Sequence, residues 1–90
     1  MYSVYMHRFP NNKVYIGCTQ MKPEIRFGRN GIGYQDANRM WSAIQEFGWD
    51  NIEHTILLTT TSREEAVFAE LKINIKIFIS DIMVIRNDLQ

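Results

Sequence analysis

Tyr2-Ser3-Val4-Tyr5-Met6-His7-Arg8 and Lys13-Val14-Tyr15-Ile16-Gly17-Cys18 are two runs rich in Val, Ile and Tyr, separated by Phe9-Pro10-Asn11-Asn12. β-Branched and aromatic residues favour strands, and Pro-Asn-Asn favours a turn, so the two runs predict an antiparallel hairpin. Its register decides what the hairpin can do. Side chains alternate between faces, so a slip of one residue would part Tyr5 from Tyr15. A tight Asn11-Asn12 loop sets Tyr5 opposite Cys18 and separates the tyrosines. A loop of three or five residues sets Tyr5 opposite Gly17 and Tyr15 opposite His7, and this odd loop is the expected one. One face then carries Tyr5, His7, Lys13, Tyr15 and Gly17, a polar set that asks for a functional explanation. The other carries Val4, Met6, Val14, Ile16 and Cys18, a core set.

Outward from the hairpin, Pro23 suits the first turn of a short helix, with Glu24 at the positive end of its dipole. Gly28, Gly31 and Gly33 break the chain into a loop ending at Tyr34. After Asp36, an N-cap candidate, Ala37, Met40, Trp41, Ile44 and Phe47 recur at helical spacing, and Gly48 stops the helix. Ile52 to Thr60 reads as a third strand, and Ser62 with Glu65 forms a capping box for a last helix. In that helix Ala66, Glu70, Ile73 and Ile77 share a face, so Glu70 interrupts an apolar stripe. A buried carboxylate is costly unless paired or bound to a cation, so the residues alone leave a structural pair with Arg or Lys and a metal ligand both open. The expected fold is α/β (α+β): a small, three-stranded, mainly antiparallel sheet flanked by helices. Val4, Val14, Ile16, Met40, Ile44, Ile56, Ala66 and Ile73 are expected to be buried. Trp41, Phe47 and Trp49 read as core aromatics and His54 as a structural histidine.

Ninety residues make one domain near the lower size limit for a single apolar core. The formal charge of zero counts against a freestanding tight DNA binder, since phosphate contacts dominate such affinity, but leaves room for a local basic cleft. The single cysteine, Cys18, excludes an intrachain disulfide and a cysteine-cluster zinc site. No leader pattern opens the chain, and the apolar stretch Ile73 to Ile85 is interrupted by Asn74, Lys76, Ser80 and Asp81, which argues against a membrane span. A cytoplasmic domain is expected.

Tyr5-Met6-His7, Asn12-Lys13-Val14-Tyr15-Ile16-Gly17, Pro23-Glu24-Ile25-Arg26-Phe27, Gly31-Ile32-Gly33-Tyr34, Ala43-Ile44 followed by Phe47-Gly48-Trp49-Asp50-Asn51, and Glu64-Glu65-Ala66 followed by Glu70 occur in this order. With them the chain resembles the GIY-YIG nuclease domain, in particular its short phage-type members. The likeness covers roughly residues 2 to 78, giving a nuclease-like domain over 1–78 and a divergent C-terminal tail over 79–90. It implies a metal-dependent DNA endonuclease. Catalytic roles fall to Tyr5, Tyr15, Arg26 and Glu70, with Glu70 holding Mg²⁺ (or Mn²⁺) and Arg26 the scissile phosphate. A planar fork of donors suits that anion, and one carboxylate plus phosphate and waters suits Mg²⁺. Tyr15 is assigned as the general base with Tyr5 in support, although which tyrosine carries the proton stays open. His7, Lys13 and Tyr34 are expected on the substrate side, His7 also as a proton acceptor; Arg29 is a weaker alternative to Arg26.

The chain departs from the family pattern in places. Ser3 stands where the first motif has Gly, Cys18 where repair-type members carry Lys, and Asn30 where homing-type members carry His; Tyr34 or His7 is the substitute in reach. The tail Ile79 to Ile85 is apolar where relatives are polar, and Asn87 is only a distant counterpart of their bracing Asn. The tail is expected either to extend the last helix across the core or to mediate self-association. The competing reading is a catalytically impaired nucleic-acid-binding or interaction module on the same fold.

Overall fold

The structure is a computed structural model that describes the backbone of residues 1–89 and the side chains of residues 1–76. Strands β1 (Tyr2–Arg8), β2 (Val14–Thr19) and β3 (Glu53–Thr60) form one antiparallel sheet in the order β2-β1-β3. Helices α1 (Pro23–Phe27) and α2 (Asn38–Phe47) lie between β2 and β3, and α3 (Arg63–Leu89) follows β3. The molecule is an α+β domain, as expected.

The hairpin takes the odd register. Tyr5 pairs with Gly17 and His7 with Tyr15. The Phe9 amide donates to the Lys13 carbonyl at 2.9 Å and the Asn12 amide to the Phe9 carbonyl at 2.8 Å, closing a turn around Pro10 and Asn11. Asn12 takes the left-handed conformation (φ 67°) that Asn tolerates better than most side chains. Asn11 fixes the exit by accepting from the Lys13 amide at 3.0 Å.

Both faces of the sheet are covered, which corrects the expectation of one core face and one polar face. Val4, Ile16 and Ala66 form a small buried cluster, edged by Met6, Cys18, Leu58, Ala69 and Ile73, where α3 crosses the sheet. The face carrying Tyr5 and His7 holds the larger cluster: Tyr5, Phe9, Phe27, Tyr34, Met40, Ile44 and Ile52, with Trp41, Phe47 and Trp49 packed around it. Phe27 and Tyr34 arrive from the α1 side and Met40 and Ile44 from α2, so the polar groups on this face are enclosed in aromatic surroundings.

Ile56 is a second correction: it is 44% exposed. The β1–β3 pairing shifts between Val4, which meets Leu58, and Tyr5, which meets Ile56, leaving Leu57 as an extra residue. That bulge puts Leu58 on the α3 face and turns Ile56 to the other, beyond the reach of α1 and α2. Val14 and Ile73 are half-buried, and the other residues expected inside are buried.

Helix ends follow local chemistry with two differences. The cap of α2 falls one residue later than expected: Ala37, extended at φ −99°, is the N-cap in place of Asp36 and makes no side-chain cap bond. Ser62 Oγ accepts from the Glu65 amide at 3.1 Å, half of the capping box. The return arm is replaced by Thr60, whose Oγ1 donates to Glu65 and accepts from the Ser62 amide, both at 3.1 Å. α3 runs through the 78/79 boundary to Leu89. The tail's packing and any self-association, like Ile77 and Asn87, lie outside the described side chains. Among the described residues no helix is long and apolar enough to cross a membrane.

Gly17 is where sequence and packing are most tightly bound. A Cβ there would lie 2.5 Å from both Cζ and the hydroxyl of Tyr5, because the Tyr5 ring crosses over its strand partner. Gly17→Ala is expected to displace that ring and cost about 1–3 kcal/mol, read as a fall of roughly 5–20 °C in Tm. An unchanged melting curve would show that the ring is not seated over Gly17.

Candidate functional site

The site is built on one rung of the sheet. On central strand β1, His7 lies opposite Tyr15 of β2 on one side and His54 of β3 on the other. His7 is 0% exposed and both its ring nitrogens are engaged. Its Nδ1 is 2.8 Å from His54 Nδ1, and its Nε2 is 2.7 Å from the Tyr34 hydroxyl. His54 Nε2 is 3.1 Å from the Trp49 carbonyl oxygen.

The carbonyl end fixes every proton in this chain. A carbonyl only accepts, so His54 carries its hydrogen on Nε2, and the Nδ1 of a neutral His54 must accept. His7 therefore donates through Nδ1, and its Nε2 accepts from Tyr34. Burial first, then His54 and the Arg26 guanidinium, lower the His7 pKa from 6.5 to about 3. His7 is neutral near pH 7, as this wiring requires.

Tyr34 is 1% exposed and sits at the hub. Burial first, then the neighbouring Tyr5, push its hydroxyl well above the ordinary value, against a smaller opposing pull from Arg26. The Arg26 guanidinium lies 4.4 Å from the centroid of the Tyr34 ring, a cation–π contact, and its Nη1 donates to the Gly33 carbonyl at 3.0 Å. The second bond needs Gly33: a Cβ there would lie 2.0 Å from the Arg26 carbonyl oxygen. Only glycine lets the 3₁₀ segment Arg29–Tyr34 approach α1 closely enough to hold the arginine head. One of the five guanidinium N–H donors is thereby used, which leaves the rest of the fork for an anion.

Tyr15 is the exposed member of the tyrosine pair, at 37%, and its ring stacks 6.5 Å from that of Tyr5. Burial and the neighbouring Tyr5 raise its pKa, Arg26 lowers it, and Glu70 raises it further. Arg26 stands on α1 and Glu70 on α3, on opposite sides of the sheet, and the charges of both are felt at Tyr15 on edge strand β2. The charge of Glu70 is also felt by Cys18, which faces the other way on the same strand. Glu70 is half-buried.

The donor set fits a hard, oxygen-seeking cation. Glu70 supplies one carboxylate at an edge open to solvent, which is what Mg²⁺ needs from a protein when substrate phosphate and water complete its shell. Among the described residues no group of three His, Cys, Asp or Glu side chains converges. Beside Tyr15 a groove of about 860 Å³ opens between β2 and α2, with Lys13, Arg39, Asn11 and Ser42 along it and Phe9 and Phe47 in its wall.

Tyr5, Tyr15, Arg26 and Tyr34 are therefore gathered within one cluster, Glu70 borders it, and Lys13 lies exposed in the adjoining groove. His7 and Tyr34 are enclosed, so they stand behind the surface that a substrate would meet. Arg29 is exposed. His54 is the residue sequence reasoning undervalued: it is exposed, hydrogen-bonded to His7, and stacked on Trp49 at 3.9 Å between ring centroids. Only the β3 register, set by the bulge, reveals that His54 faces His7. No family model, no curated protein and no solved structure matches this chain.

The His7 shift gives a signed pH dependence. The unfolded chain binds the proton near pH 6.5 and the folded chain only near pH 3. Stability is thus full above the first value and declines as pH falls toward the second, by up to about 1.4 kcal/mol per pH unit. His7→Gln should flatten this part of the profile in denaturant unfolding between pH 7 and 4. Parallel profiles would mean that His7 is protonated within the fold.

Proposed function

We propose that the chain is a metal-dependent endonuclease domain of the GIY-YIG kind, hydrolysing a DNA phosphodiester. The observation that carries this reading is the gathering of the Tyr5, Tyr15 and Tyr34 rings with the Arg26 guanidinium beside them, at a tyrosine that also feels the charge of Glu70. The ordered motifs of the sequence support it, and so do Lys13 and Arg39 along the groove beside that tyrosine. A cytoplasmic setting accords with a single free thiol.

In this reading the scissile phosphate docks at the edge of β2. The free donors of Arg26 hold its non-bridging oxygens and stabilise the charge that gathers on them during attack. The tyrosine pair takes a proton from the attacking water. Glu70 would hold Mg²⁺ or Mn²⁺, which supplies charge neutralisation at the phosphate when bound. His7 and Tyr34 fix the positions of the groups in front of them, and Lys13 steadies the flanking strand.

A second reading is a nucleic-acid-binding module with impaired catalysis. One observation favours it: the Tyr15 hydroxyl is pushed up rather than down, which makes that side chain harder to ionise.

Nicking of supercoiled plasmid separates the two. Wild-type protein should nick in Mg²⁺ and not in chelator, and Glu70→Ala should lower the rate by roughly a hundredfold or more while DNA binding persists. Without metal, Glu70→Ala should melt at or slightly above the wild-type temperature, since a carboxylate leaves an apolar stripe. If Glu70 is instead one half of a structural ion pair, its removal costs about 3–5 kcal/mol and the melt falls sharply. DNA binding with no nicking by the wild type would establish the second reading.

A further inference from the structure

We propose that the outward face of α3 is the seam of a parallel two-stranded coiled coil through which the domain pairs with a second copy of itself. The inference stands apart from the nuclease reading and uses none of its site residues.

α3 spans 27 residues, which makes it about 40 Å long. Its inward face is occupied where Ala66, Ala69 and Ile73 pack on the sheet. At 100° per residue, Phe68, Leu71 and Ile75 stand on the opposite face, and they are between 49% and 66% exposed. Large apolar side chains in one row, rather than scattered singly, mark a surface that another molecule covers. The row also has a period. Steps of three and four residues separate Phe68, Leu71 and Ile75, and the sequence keeps that alternation without a break through Phe78, Ile82, Ile85 and Leu89. The backbone of α3 runs through all of them. Phe68, Ile75, Ile82 and Leu89 thus take the a positions of a heptad repeat, and Leu71, Phe78 and Ile85 the d positions. On a straight helix a strict repeat of seven drifts about 20° per heptad, so it forms one continuous seam only where two helices wind round each other.

The charges beside the seam choose the partner and its direction. Lys72 and Arg86 fall at e positions, Asp81 and Asp88 at g positions. In a parallel pair each g position meets the e position of the following heptad on the other helix, so Asp81 of one copy meets Arg86 of the second, twice by symmetry. By the same rule Lys72 meets Val67, along which its stem can lie. Turning one helix round would set e against e and g against g, cation against cation and acid against acid. An identical helix laid alongside in parallel therefore satisfies both the seam and its flanks. Ile75 and Ile82 at a, with Leu71 at d, suit two strands, whereas Ile85 at d suits more. The sheet decides between them: it already covers the inward face of the first heptad, which leaves each helix one free face for one neighbour. Seam and sheet lie on opposite sides of α3, so two copies join back to back with their sheets turned outward.

The test is sedimentation equilibrium of the full chain from about 1 to about 100 µM, with melting curves alongside. A species of twice the 10.6 kDa chain mass is expected, with a melting temperature that rises with concentration. Leu71→Glu should weaken pairing by roughly a hundredfold or more, because each pair loses two buried leucines. Leu71 is exposed in the single domain, so the near-ultraviolet circular dichroism of the buried tyrosines should stay unchanged in that variant. Direction is read from Leu71→Cys in a Cys18→Ser background. A d position faces its own counterpart across a parallel seam, so mild oxidation should cross-link nearly every pair. A wild type that stays at the single-chain mass throughout overturns the proposal. So does a Leu71→Glu protein that pairs as tightly as the wild type, since another surface would then be responsible. A trimer overturns the two-stranded seam, and a dimer that fails to cross-link overturns its parallel direction.

Discussion

A neutral imidazole shut away from water has one hydrogen to give and one lone pair to fill, and the fold around His7 is arranged to meet both demands. Leaving either unmet would cost about 1–3 kcal/mol, a large fraction of what a domain this small has to spare. Three separate pieces of chain are committed to meeting them: Tyr34 at the end of the glycine loop, His54 on β3, and Trp49 between α2 and β3. The first two fix where the glycine loop and the edge strand stand relative to β1. The third holds His54 by a backbone carbonyl, so no other side chain needs to be recruited. The aromatic shell of Phe27, Tyr34 and Trp49 rings keeps water from substituting for any of them.

The two layers contribute differently to the surface in front of this network. The α1 and α2 layer is aromatic and rigid, and it sets the arginine through a cation–π contact and a bond to a backbone carbonyl. The α3 layer is aliphatic, with Ala66 and Ala69 allowing the helix close to the sheet. Glu70 follows directly after Ala69, so the close approach that small residues permit also sets how near the carboxylate comes to the β2 edge. Stability and site geometry are thus coupled on that side through the size of two alanines.

Much of this was legible from residue types. Parity alone related Tyr5, Tyr15, His7 and Gly17 once the loop was taken as odd, and Pro23, Gly48 and Ser62 marked helix ends. Polarity misled where Tyr5 and His7 were read as an open face. Tyrosine and histidine carry enough apolar ring to be buried when each polar atom finds a partner, and those partners, Tyr34 and His54, are distant in sequence. Ile56 and His54 were misjudged for a shared reason. Both depend on how β3 is phased against β1, and hydropathy in Ile56-Leu57-Leu58 is uniform, so nothing in the pattern marks Leu57 as the extra residue. Helical spacing put Glu70 on the inward face of α3, but only the strand order tells which sheet edge it borders.

The bulge at Leu57 has a consequence for how this chain tolerates change in length. Counting from the Val4–Leu58 pair with no extra residue, Thr55 would face His7, and His54 would fall on the opposite side of the sheet. One surplus residue in an edge strand therefore chooses between an imidazole and a hydroxyl as the neighbour of the buried histidine. Deletions in edge strands are ordinarily among the milder lesions a sheet can suffer. Loss of Leu57 would be mild in that sense, since Val4–Leu58 and His7–His54 would still pair with no bulge between them, whereas a strand that kept Leu57 and paired it would put a different chemistry at the centre of the molecule.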